Sequence, residues 1–540
     1  MRKVKFLVCL LTAPLLISCG NSGSGGGGNT KGEIDFDHAT PTIDVDSLSV
    51  PALTKDALGG DIKEADGKLL FDIYEVSDFH GAVNYSADDK TIGLTKMADY
   101  FSKKRAENPG GTVIISSGDM FQGSAESNLT HGYLVNYAMN IMGFEAMTLG
   151  NHEFDWSVDW IRKNANLKIG DYSIPYLGAN IFDKSTGQVL DCLKPSTIIT
   201  RGEYKIGVIG TLGDGAEKSI MPALIKDLEF KGEVAIVKAE AERLRSEENC
   251  DLVIWSSHRD IDDLAGTVVK TDGIDAIFGG HTHESKTKTT SDSLVPLLET
   301  KNYGKGIAHA QLALDPLTKE VTSVSAVVDE KPYEYAGLVE HAEVKKVMDF
   351  YSTYIEPIKG EVIGSTDADL DVSNTFALTN LCVDTMGIAA QKWADANGGV
   401  KVTSTYHNAN GGVRADIKAG DIKFADVYRS FPFDNELVLV KTSGSKLKNY
   451  LSKAKKYGFW RNMEVLPSLA SIIDTEEYYF ASTDFLVTSK NEEFKLEETD
   501  LIRTGYVIRD IVAARIKYEK KVKKANFTRS GHKQYTVPTE

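Results

Sequence analysis

The six residues Gly150-Asn151-His152-Glu153-Phe154-Asp155 place an amide, an imidazole and two carboxylates next to one another. A short apolar run, residues 146–149, comes directly before them, so the pattern indicates a buried strand that ends in a polar loop. In open α/β sheets, ligands bind outside the carboxyl ends of the strands. We therefore expect this loop to supply a ligand-binding group and a catalytic imidazole.

The same order of elements repeats on both sides of this loop: an apolar run, a polar or glycine-containing loop, and a helical stretch. Apolar residues at helical spacing cover residues 94–105 and 234–247. Strands that alternate with helices predict an α/β layered domain. The predicted strands are residues 69–76, 112–116, 146–149, 174–179, 205–210, 251–256, 276–278 and 295–299.

Metal-binding side chains follow five of these strands. Carboxylate oxygen and neutral imidazole nitrogen suit divalent Mn, Zn, Fe or Co, and one carboxylate can bridge two cations. A pair of cations lowers the pKa of bound water and holds a phosphoryl group for attack. The candidate ligands are Asp78, His80, Asp119, Asn151, His258, His281 and His283.

Each of these residues also has a purely structural explanation. Asp78 could cap a helix, and Asp119 could form a turn beside Gly118. Their joint occurrence at the ends of five of the eight predicted strands favours a metal site over a series of unrelated turns.

The order Asp-x-His, Gly-Asp, Gly-Asn-His-Glu, His and Gly-His-x-His is similar to that of the metallophosphoesterase superfamily. The longer phrases SDFHG, GDMFQGS, TLGNHEFD and FGGHTH resemble the bacterial 5′-nucleotidase family, which also includes 2′,3′-cyclic phosphodiesterases and UDP-sugar hydrolases. The resemblance covers nearly the whole chain after residue 67. It implies a four-layer β-sandwich flanked by helices, a linker helix and a C-terminal α/β domain that binds the substrate.

The resemblance also implies a role for each candidate residue. One metal ion would be held by Asp78, His80, Asp119 and His283, and the other by Asp119, Asn151, His258 and His281. His152 would contact the phosphate rather than a metal ion, and Asp155 would orient the His152 ring.

The C-terminal domain of such enzymes binds the organic half of the substrate. Residues 408–414 resemble the family's Asn-Gly-Gly-x-Ile-Arg loop, which points to Asn410, Gly411 and Arg414. Phe433 resembles the aromatic that stacks on a base, although it could instead pack in the domain core.

Two segments depart from the family pattern. Residues 373–381 lack the usual arginine, and residues 484–494 lack the Gly-Gly-Asp-Gly loop, which leaves Phe494 as the candidate second aromatic. We therefore predict phosphate release from nucleotides. The alternatives are a 2′,3′-cyclic nucleotide, a UDP-sugar or a non-nucleotide phosphoester as substrate, or an inactive nucleotide-binding lipoprotein.

The N-terminus has the features of an export signal. A basic start and an apolar run, residues 6–17, precede Leu16-Ile17-Ser18-Cys19-Gly20, which resembles a bacterial lipobox with Cys19 as the lipidated residue. An ordinary signal peptide is the alternative. We expect a protein anchored to the cell envelope, at the outer membrane, in the periplasm or on the cell surface. Cys192, Cys250 and Cys382 remain, either with two of them paired or as free buried thiols.

The length and the net charge of the chain limit the number of domains and the kinds of partner that it can have. A chain of 540 residues is too long for one core, so we expect two domains with additional segments. Its net charge of −16 disfavours binding to a nucleic-acid polymer. We expect a monomer whose partner is a small-molecule phosphoester. Residues 341–359 show helical spacing and predict the linker. The predicted divisions are a signal peptide at 1–18, the lipidated cysteine, tether and leader at 19–66, the phosphoesterase domain at 67–332, the linker at 333–360, the C-terminal domain at 361–525 and a tail at 526–540.

Overall fold

The computed structural model describes residues 34–36, 43–408, 411–462, 472–488 and 501–528. The predicted lipidation site Cys19 and the predicted substrate residues Asn410 and Phe494 lie outside these ranges.

The strands of the N-terminal part match the predicted apolar runs to within a few residues at most ends. The strands to residue 329 are β1 Glu64–Ala65, β2 Lys68–Val76, β3 Thr112–Ser116, β4 Ala146–Thr148, β5 Tyr176–Leu177, β6 Ile181–Asp183, β7 Ser196–Arg201, β8 Tyr204–Leu212, β9 Leu228–Phe230, β10 Leu252–His258, β11 Ala276–Phe278, β12 Lys286–Thr289, β13 Pro296–Glu299, β14 Ile307–Leu314 and β15 Val321–Asp329. The strands that follow are β16 Val362–Thr366, β17 Val402–Asn408, β18 Gly420–Lys423, β19 Glu436–Ser443, β20 Gly458–Asn462, β21 Glu477–Thr483, β22 Leu501–Val507 and β23 Lys521–Val522.

The predicted helices at 94–105, 234–247 and 341–359 are confirmed. The helices are α1 Gly93–Glu107, α2 Ala125–Asn128, α3 Tyr133–Met142, α4 Val158–Ala165, α5 Glu233–Ser246, α6 Ile261–Leu264, α7 Ala342–Lys359, α8 Ala377–Ala396, α9 Phe424–Ser430, α10 Gly444–Tyr457, α11 Asp484–Thr488 and α12 Ile508–Glu519. Across the described ranges, none of these helices has both the length and the apolar content that crossing a membrane requires.

Two sheets of the N-terminal part face each other. One has the order β15-β14-β2-β3-β4-β5 with β1 beside β2, and the other has the order β12-β13-β11-β10-β8-β7. Phe71 and Ile73 of β2 pack in one apolar cluster with Val208 of β8 and Ile254 of β10, between the sheets. Each such fully buried side chain stabilises the fold by about 1.5–3 kcal/mol.

Helices cover both outer faces of this pair of sheets. Tyr74 and Val76 point to the opposite face of β2 and pack with Phe101 of α1, because successive strand side chains alternate between faces. On the far side, Leu244 of α5 packs against Trp255 of β10. The arrangement of helix, sheet, sheet and helix confirms the predicted four layers.

The structure contains a hairpin of β14 and β15 that the sequence pattern does not predict. β14 pairs antiparallel with both β2 and β15 and therefore does not follow the repeat of strand, loop and helix. Its partner β15 lies at the sheet edge and leaves Val324 and Val327 exposed, so it lacks the continuous apolar run of a buried strand.

The C-terminal part is a second α/β unit. Its sheet has the order β20-β17-β21-β19-β22, and a smaller sheet has the order β18-β16-β23. The leader residue Phe36 is buried and contacts the ring of Tyr506, and Lys392 Nζ donates to the Ile34 carbonyl, so this segment packs on the C-terminal unit. Among the described residues Cys192, Cys250 and Cys382 are free thiols, which agrees with the unpaired alternative.

Candidate active site

The candidate metal ligands come from strands whose carboxyl ends meet. β2, β3 and β4 run parallel in one sheet, and β8, β10 and β11 run parallel in the other. Ser117 after β3 links the sheets, because its carbonyl accepts a hydrogen bond from His258 Nδ1 at 2.8 Å. Seven side chains separated by as many as 205 residues therefore converge on one edge of the sandwich.

The structure brings six of the seven predicted ligands into two groups. Asp78, His80 and His283 form one, and Asp119, His258 and His281 form the other, with the donor atoms of each group within 4.8 Å of one another. Asp119 Oδ2 lies 3.1 Å from His258 Nε2 and 4.0 Å from His80 Nε2. The Asp119 carboxylate thus reaches both groups, as a bridging ligand must.

The donor atoms are placed to bind two cations rather than to form hydrogen bonds with one another. The buried atom Asn151 Oδ1 has no hydrogen-bond partner, although unpaired buried polar atoms are rare in folded proteins, and buried His258 Nε2 faces only the Asp119 carboxylate, at 3.1 Å. His80 Nε2 and His283 Nε2 face each other at 3.1 Å. A cation in each group would satisfy these lone pairs, and Asn151 is the seventh predicted ligand.

Backbone carbonyls orient two of the imidazoles. His80 Nδ1 donates to the carbonyl of Gln122 at 2.8 Å, as His258 Nδ1 does to Ser117. Because Nδ1 carries the proton in this arrangement, Nε2 presents its lone pair to the site. Burial lowers the pKa values of His281 and His283 to about 4, whereas at His258 the Asp119 carboxylate outweighs burial and raises the pKa to about 10.

The backbone around the site is strained. Asp78, His80, Asp119, His281 and His283 all have positive φ, between 48° and 80°. Such values are uncommon for residues other than glycine and persist where the surrounding structure enforces them. Cross-loop hydrogen bonds supply this enforcement, since Asp78 N donates to the Gly118 carbonyl at 2.9 Å and His80 N donates to the Asp119 carbonyl at 3.0 Å.

His152 and Asp155 form the predicted pair. His152 Nδ1 lies 2.8 Å from Asp155 Oδ2, and the backbone N–H of His152 donates to Asp119 Oδ1 at 2.8 Å. Burial lowers the pKa of His152, but the carboxylates of Asp155 and Asp119 outweigh burial and raise the pKa to about 9. His152 belongs to neither group of metal donors.

Glu153 has a role that the sequence did not reveal. Its carboxylate accepts hydrogen bonds from the backbone N–H groups of Asp119 at 2.9 Å, Met120 at 2.8 Å and Gly150 at 2.7 Å. Glu153 therefore joins the loop after β3 to the loop after β4 beneath the candidate bridging ligand. Burial and the nearby Asp119 carboxylate raise the pKa of Glu153 to about 7.

A cavity of about 370 Å³ opens above the metal donors and reaches the C-terminal unit. Gly411, Arg414 and Phe433, which the sequence predicts to bind substrate, line this cavity. The Phe433 ring stacks on His152 with centroids 5.7 Å apart and planes at 23°, and the Arg414 guanidinium lies 5.1 Å from the Phe433 ring. Phe433 is half-buried beside the cavity, which argues against the alternative that it packs in the domain core.

Other cavity residues were not predicted from the sequence, although Asn408, Asp434 and Asn435 lie within the two motifs of the C-terminal domain. These other cavity residues are Ser219, Met221, Leu224, Asn408, Asp434, Asn435 and Phe485. Met221 and Leu224 come from the segment between β8 and β9, whose short turns carry no motif. Phe485, at the start of α11, stands in the region where Phe494 was expected to supply the second aromatic.

Two family models match the chain. The model of calcineurin-like phosphoesterases matches residues 71–285, and the model of the 5′-nucleotidase C-terminal domain matches residues 362–472. The chain belongs to the 5′-nucleotidase family. It is accordingly a phosphoric ester hydrolase with the metallophosphoesterase fold.

Individual relatives agree with this assignment. Protein UshA of Escherichia coli K12 is 26% identical over 441 residues, which cover 72% of this chain and 77% of UshA. Endonuclease YhcR of Bacillus subtilis is 30% identical over 424 residues, which cover 70% of this chain but 32% of YhcR. The crystal structure of a 5′-nucleotidase precursor from Thermus thermophilus shares the fold, with a TM-score of 0.67 and 18% identity over 84% of this chain and 97% of that one.

One departure from the 5′-nucleotidase family pattern has a structural counterpart. Asp371 accepts hydrogen bonds from the backbone of Asn374 and from the Thr375 hydroxyl, and so closes the turn before α8. None of residues 373–381, all within the described part of the chain, lines the cavity. The position where the family carries an arginine therefore contributes no charge to this cavity.

Proposed function

We propose that this chain is a two-metal phosphoesterase that releases phosphate from nucleotides. The observation that carries the proposal is the convergence of two groups of donor atoms, together with the unpaired Asn151 Oδ1, below a cavity lined by Arg414 and Phe433. The charge of the metal centre also provides the attraction for an anionic substrate that a chain of net charge −16 otherwise lacks.

We assign the metal ligands as the motifs suggest. Asp78, His80, Asp119 and His283 would hold one divalent cation, and Asp119, Asn151, His258 and His281 would hold the other. When bound, the two cations would polarise the phosphoryl group and supply a nucleophile from water near neutral pH. Mn, Zn, Fe and Co all accept this set of oxygen and nitrogen donors.

His152 acts as the proton donor in this proposal. Its Nδ1–H is held by Asp155 at 2.8 Å, so the charged ring presents Nε2–H for the phosphoryl oxygen and the leaving group. The Asp155 and Asp119 carboxylates outweigh burial and favour the charged form of this ring. The hydrogen bond from His152 N to Asp119 Oδ1 fixes the ring relative to the candidate bridging ligand.

The C-terminal residues receive the organic half of the substrate. Phe433 offers an aromatic face beside His152, and Arg414 offers a planar set of donors that suits a ribose or a second phosphate. Met221 and Leu224 form an apolar wall of the same cavity. These features favour a nucleoside over a simple alkyl group.

A substrate panel tests this assignment. Purified protein loaded with Mn²⁺ should release phosphate from nucleoside 5′-monophosphates with a higher kcat/KM than that for opening 2′,3′-cyclic nucleotides to nucleoside monophosphates, for cleaving UDP-glucose to UMP and glucose 1-phosphate, or for releasing p-nitrophenol from p-nitrophenyl phosphate. A preference for any of the last three would replace the nucleotidase assignment. Complete inactivity of metal-loaded protein on the whole panel would instead support a nucleotide-binding lipoprotein.

We also propose that the protein is exported and anchored through a lipid on Cys19. The support is the sequence alone: a basic start, an apolar run, a small residue before the cysteine, and a glycine-rich tether at residues 20–29 that would hold the catalytic body away from a membrane.

A further inference from the structure

The carbonyl of Pro432, next to Phe433, is held by two side chains of the catalytic part of the chain. Gln122 Nε2 donates to it at 3.1 Å and Asn128 Nδ2 donates to it at 2.8 Å. Both side chains are buried, with exposed fractions of 2% and 6%. These two amides, called the clasp below, therefore connect the phosphoesterase part to the segment that carries the aromatic beside His152.

The clasp is rigidly joined to the metal centre. The backbone carbonyl of Gln122 accepts the hydrogen bond from His80 Nδ1 at 2.8 Å, and Asn128 Oδ1 accepts one from Gly123 N at 2.8 Å. The chain at Gly123 also passes so close to His80 that a Cβ there would lie 2.2 Å from the His80 carbonyl oxygen. Residues 122–128 consequently cannot shift without moving a candidate metal ligand.

Arg509 holds the same segment from the C-terminal side. Its guanidinium pairs with Asp434 and lies 4.0 Å from the Tyr428 ring. Arg509 Nη1 donates to the carbonyls of Phe431 and Phe433, both at 3.4 Å, and lies 3.5 Å from the Pro432 carbonyl oxygen, so it is a third and more distant donor to that carbonyl. The buried Arg509 guanidinium thus supports the backbone of residues 431–434, and the Pro432 carbonyl faces the clasp.

We propose that Gln122 and Asn128 are positioning residues that set the distance between Phe433 and His152. A chain of short contacts runs from the His80 loop through the clasp to Pro432 and then to the Phe433 ring, which stacks on His152 at 5.7 Å. The clasp thereby aligns the binding surface for the organic half of the substrate with the catalytic imidazole. This role rests on the proposed function, because it assumes a substrate with an organic group for Phe433 to contact.

Two variants remove the donors and keep the rest of the site. Asn128→Asp retains the acceptor for Gly123 N but cannot donate to Pro432, and Gln122→Met retains the backbone carbonyl that orients His80. Asn136→Asp is the matched control, since the buried Asn136 amide donates to the Asn164 carbonyl at 2.8 Å in the same part of the chain but does not reach residues 431–435.

Steady-state kinetics should show whether Gln122 and Asn128 position Phe433 or instead support metal binding or folding. We expect the KM for a nucleoside 5′-monophosphate to rise about tenfold in Asn128→Asp and Gln122→Met, the change that corresponds to about 1.4 kcal/mol. With glycerol 2-phosphate, which has no base, kcat/KM should stay within about twofold of the wild-type value, which is a small change in free energy. Metal content should stay at the wild-type value, and Asn136→Asp should leave both substrates unaffected.

An unchanged nucleotide KM in both clasp variants would overturn the proposal. An equal loss on both substrates, accompanied by metal loss, would overturn it too, because the clasp would then act through His80. In a Phe433→Ala background, Asn128→Asp should add no further rise in the nucleotide KM, and an additive rise would show that the clasp does not act through Phe433.

A measurement without substrate separates this proposal from the proposed function. The ring-proton resonances of His152 in histidine-labelled protein should move in the same direction in Asn128→Asp and Phe433→Leu, and stay in place in Asn136→Asp. Movement in Phe433→Leu alone would refute the clasp even if the protein hydrolysed no nucleotide. Failure of wild-type protein on every nucleotide would refute the nucleotidase assignment and leave this resonance test intact.

Discussion

Gly150, the first residue of the central loop, lies directly against Asp119, the candidate bridging ligand, and replacing it with alanine should disable the metal centre. A Cβ built at Gly150 lies 2.2 Å from Asp119 Oδ1 and 2.6 Å from Asp119 N. The φ angle of Gly150 lies outside the left-handed region, so alanine suits the backbone and the effect is steric alone.

The geometry gives the size of the displacement. Ordinary van der Waals contact begins at about 3.4 Å, so Asp119 Oδ1 must retreat by about 1.2 Å. Asp119 N has no such freedom, because it donates to Glu153 at 2.9 Å. Overpacking of this kind costs about 1–3 kcal/mol of folding free energy. A misplacement of about 1 Å at a reacting centre lowers the rate by about 10²-fold.

Three measurements on Gly150→Ala check this reasoning: metal content per chain, kcat/KM on the best substrate, and urea unfolding. We expect metal content clearly below the wild-type value and a kcat/KM lower by about 10²-fold or more. Gly266→Ala is the control, since a Cβ at Gly266 meets nothing within 4 Å and the residue also lies outside the left-handed region. Its stability should change by no more than about 1 kcal/mol, with activity unchanged.

A fully metallated and fully active Gly150→Ala protein would refute the argument that Asp119 must lie against the Gly150 backbone. If folding stability falls but the folded protein keeps its metal and its kcat/KM, the argument that the clash with Asp119 impairs metal binding and catalysis is wrong. Equal losses in Gly266→Ala would show that the substitution itself, rather than the clash, is responsible.

Two further predictions concern residue roles and the anchor. His152→Ala should lower kcat by about 10²–10⁴-fold while metal content stays at the wild-type value, whereas Asp119→Ala should lose metal; metal loss in His152→Ala would place His152 among the ligands instead. Cys19→Ser should move the protein from the membrane fraction to the soluble fraction of its host, with Cys192→Ser as control, and retention of Cys19→Ser in membranes would reject the lipid anchor.

The order of motifs along the chain was enough to predict the layered fold and the metal donors. Each donor lies within a few residues of an apolar strand, so local pattern alone places Asp78, Asp119 and Asn151 at strand ends. Parallel strands bring such ends to one edge, and a cluster follows without knowledge of side-chain positions. The pairing of His152 with Asp155 was accessible for the same reason, since only three residues separate them.

The contacts that complete the site could not be predicted from local sequence patterns. Glu153 stands in the central motif, yet its function depends on the backbone of Asp119 and Met120, more than thirty residues away. The positive φ angles of the donors likewise arise from hydrogen bonds between loops. Neither residue type nor spacing encodes such bonds, because their partners are backbone groups that every sequence has.

The binding surface for the organic group depended most on tertiary structure. Phe433 was predicted as a stacking aromatic, but its place beside His152 is set by Gln122 and Asn128 through Pro432, across more than 300 residues. Met221 and Phe485 join the same cavity from segments with no motif. The sequence alone thus determined the donor set and the strand ends that carry it, because both are local. Only the packing of the two parts of the chain decided which side chains line the cavity, because that surface is built from long-range contacts.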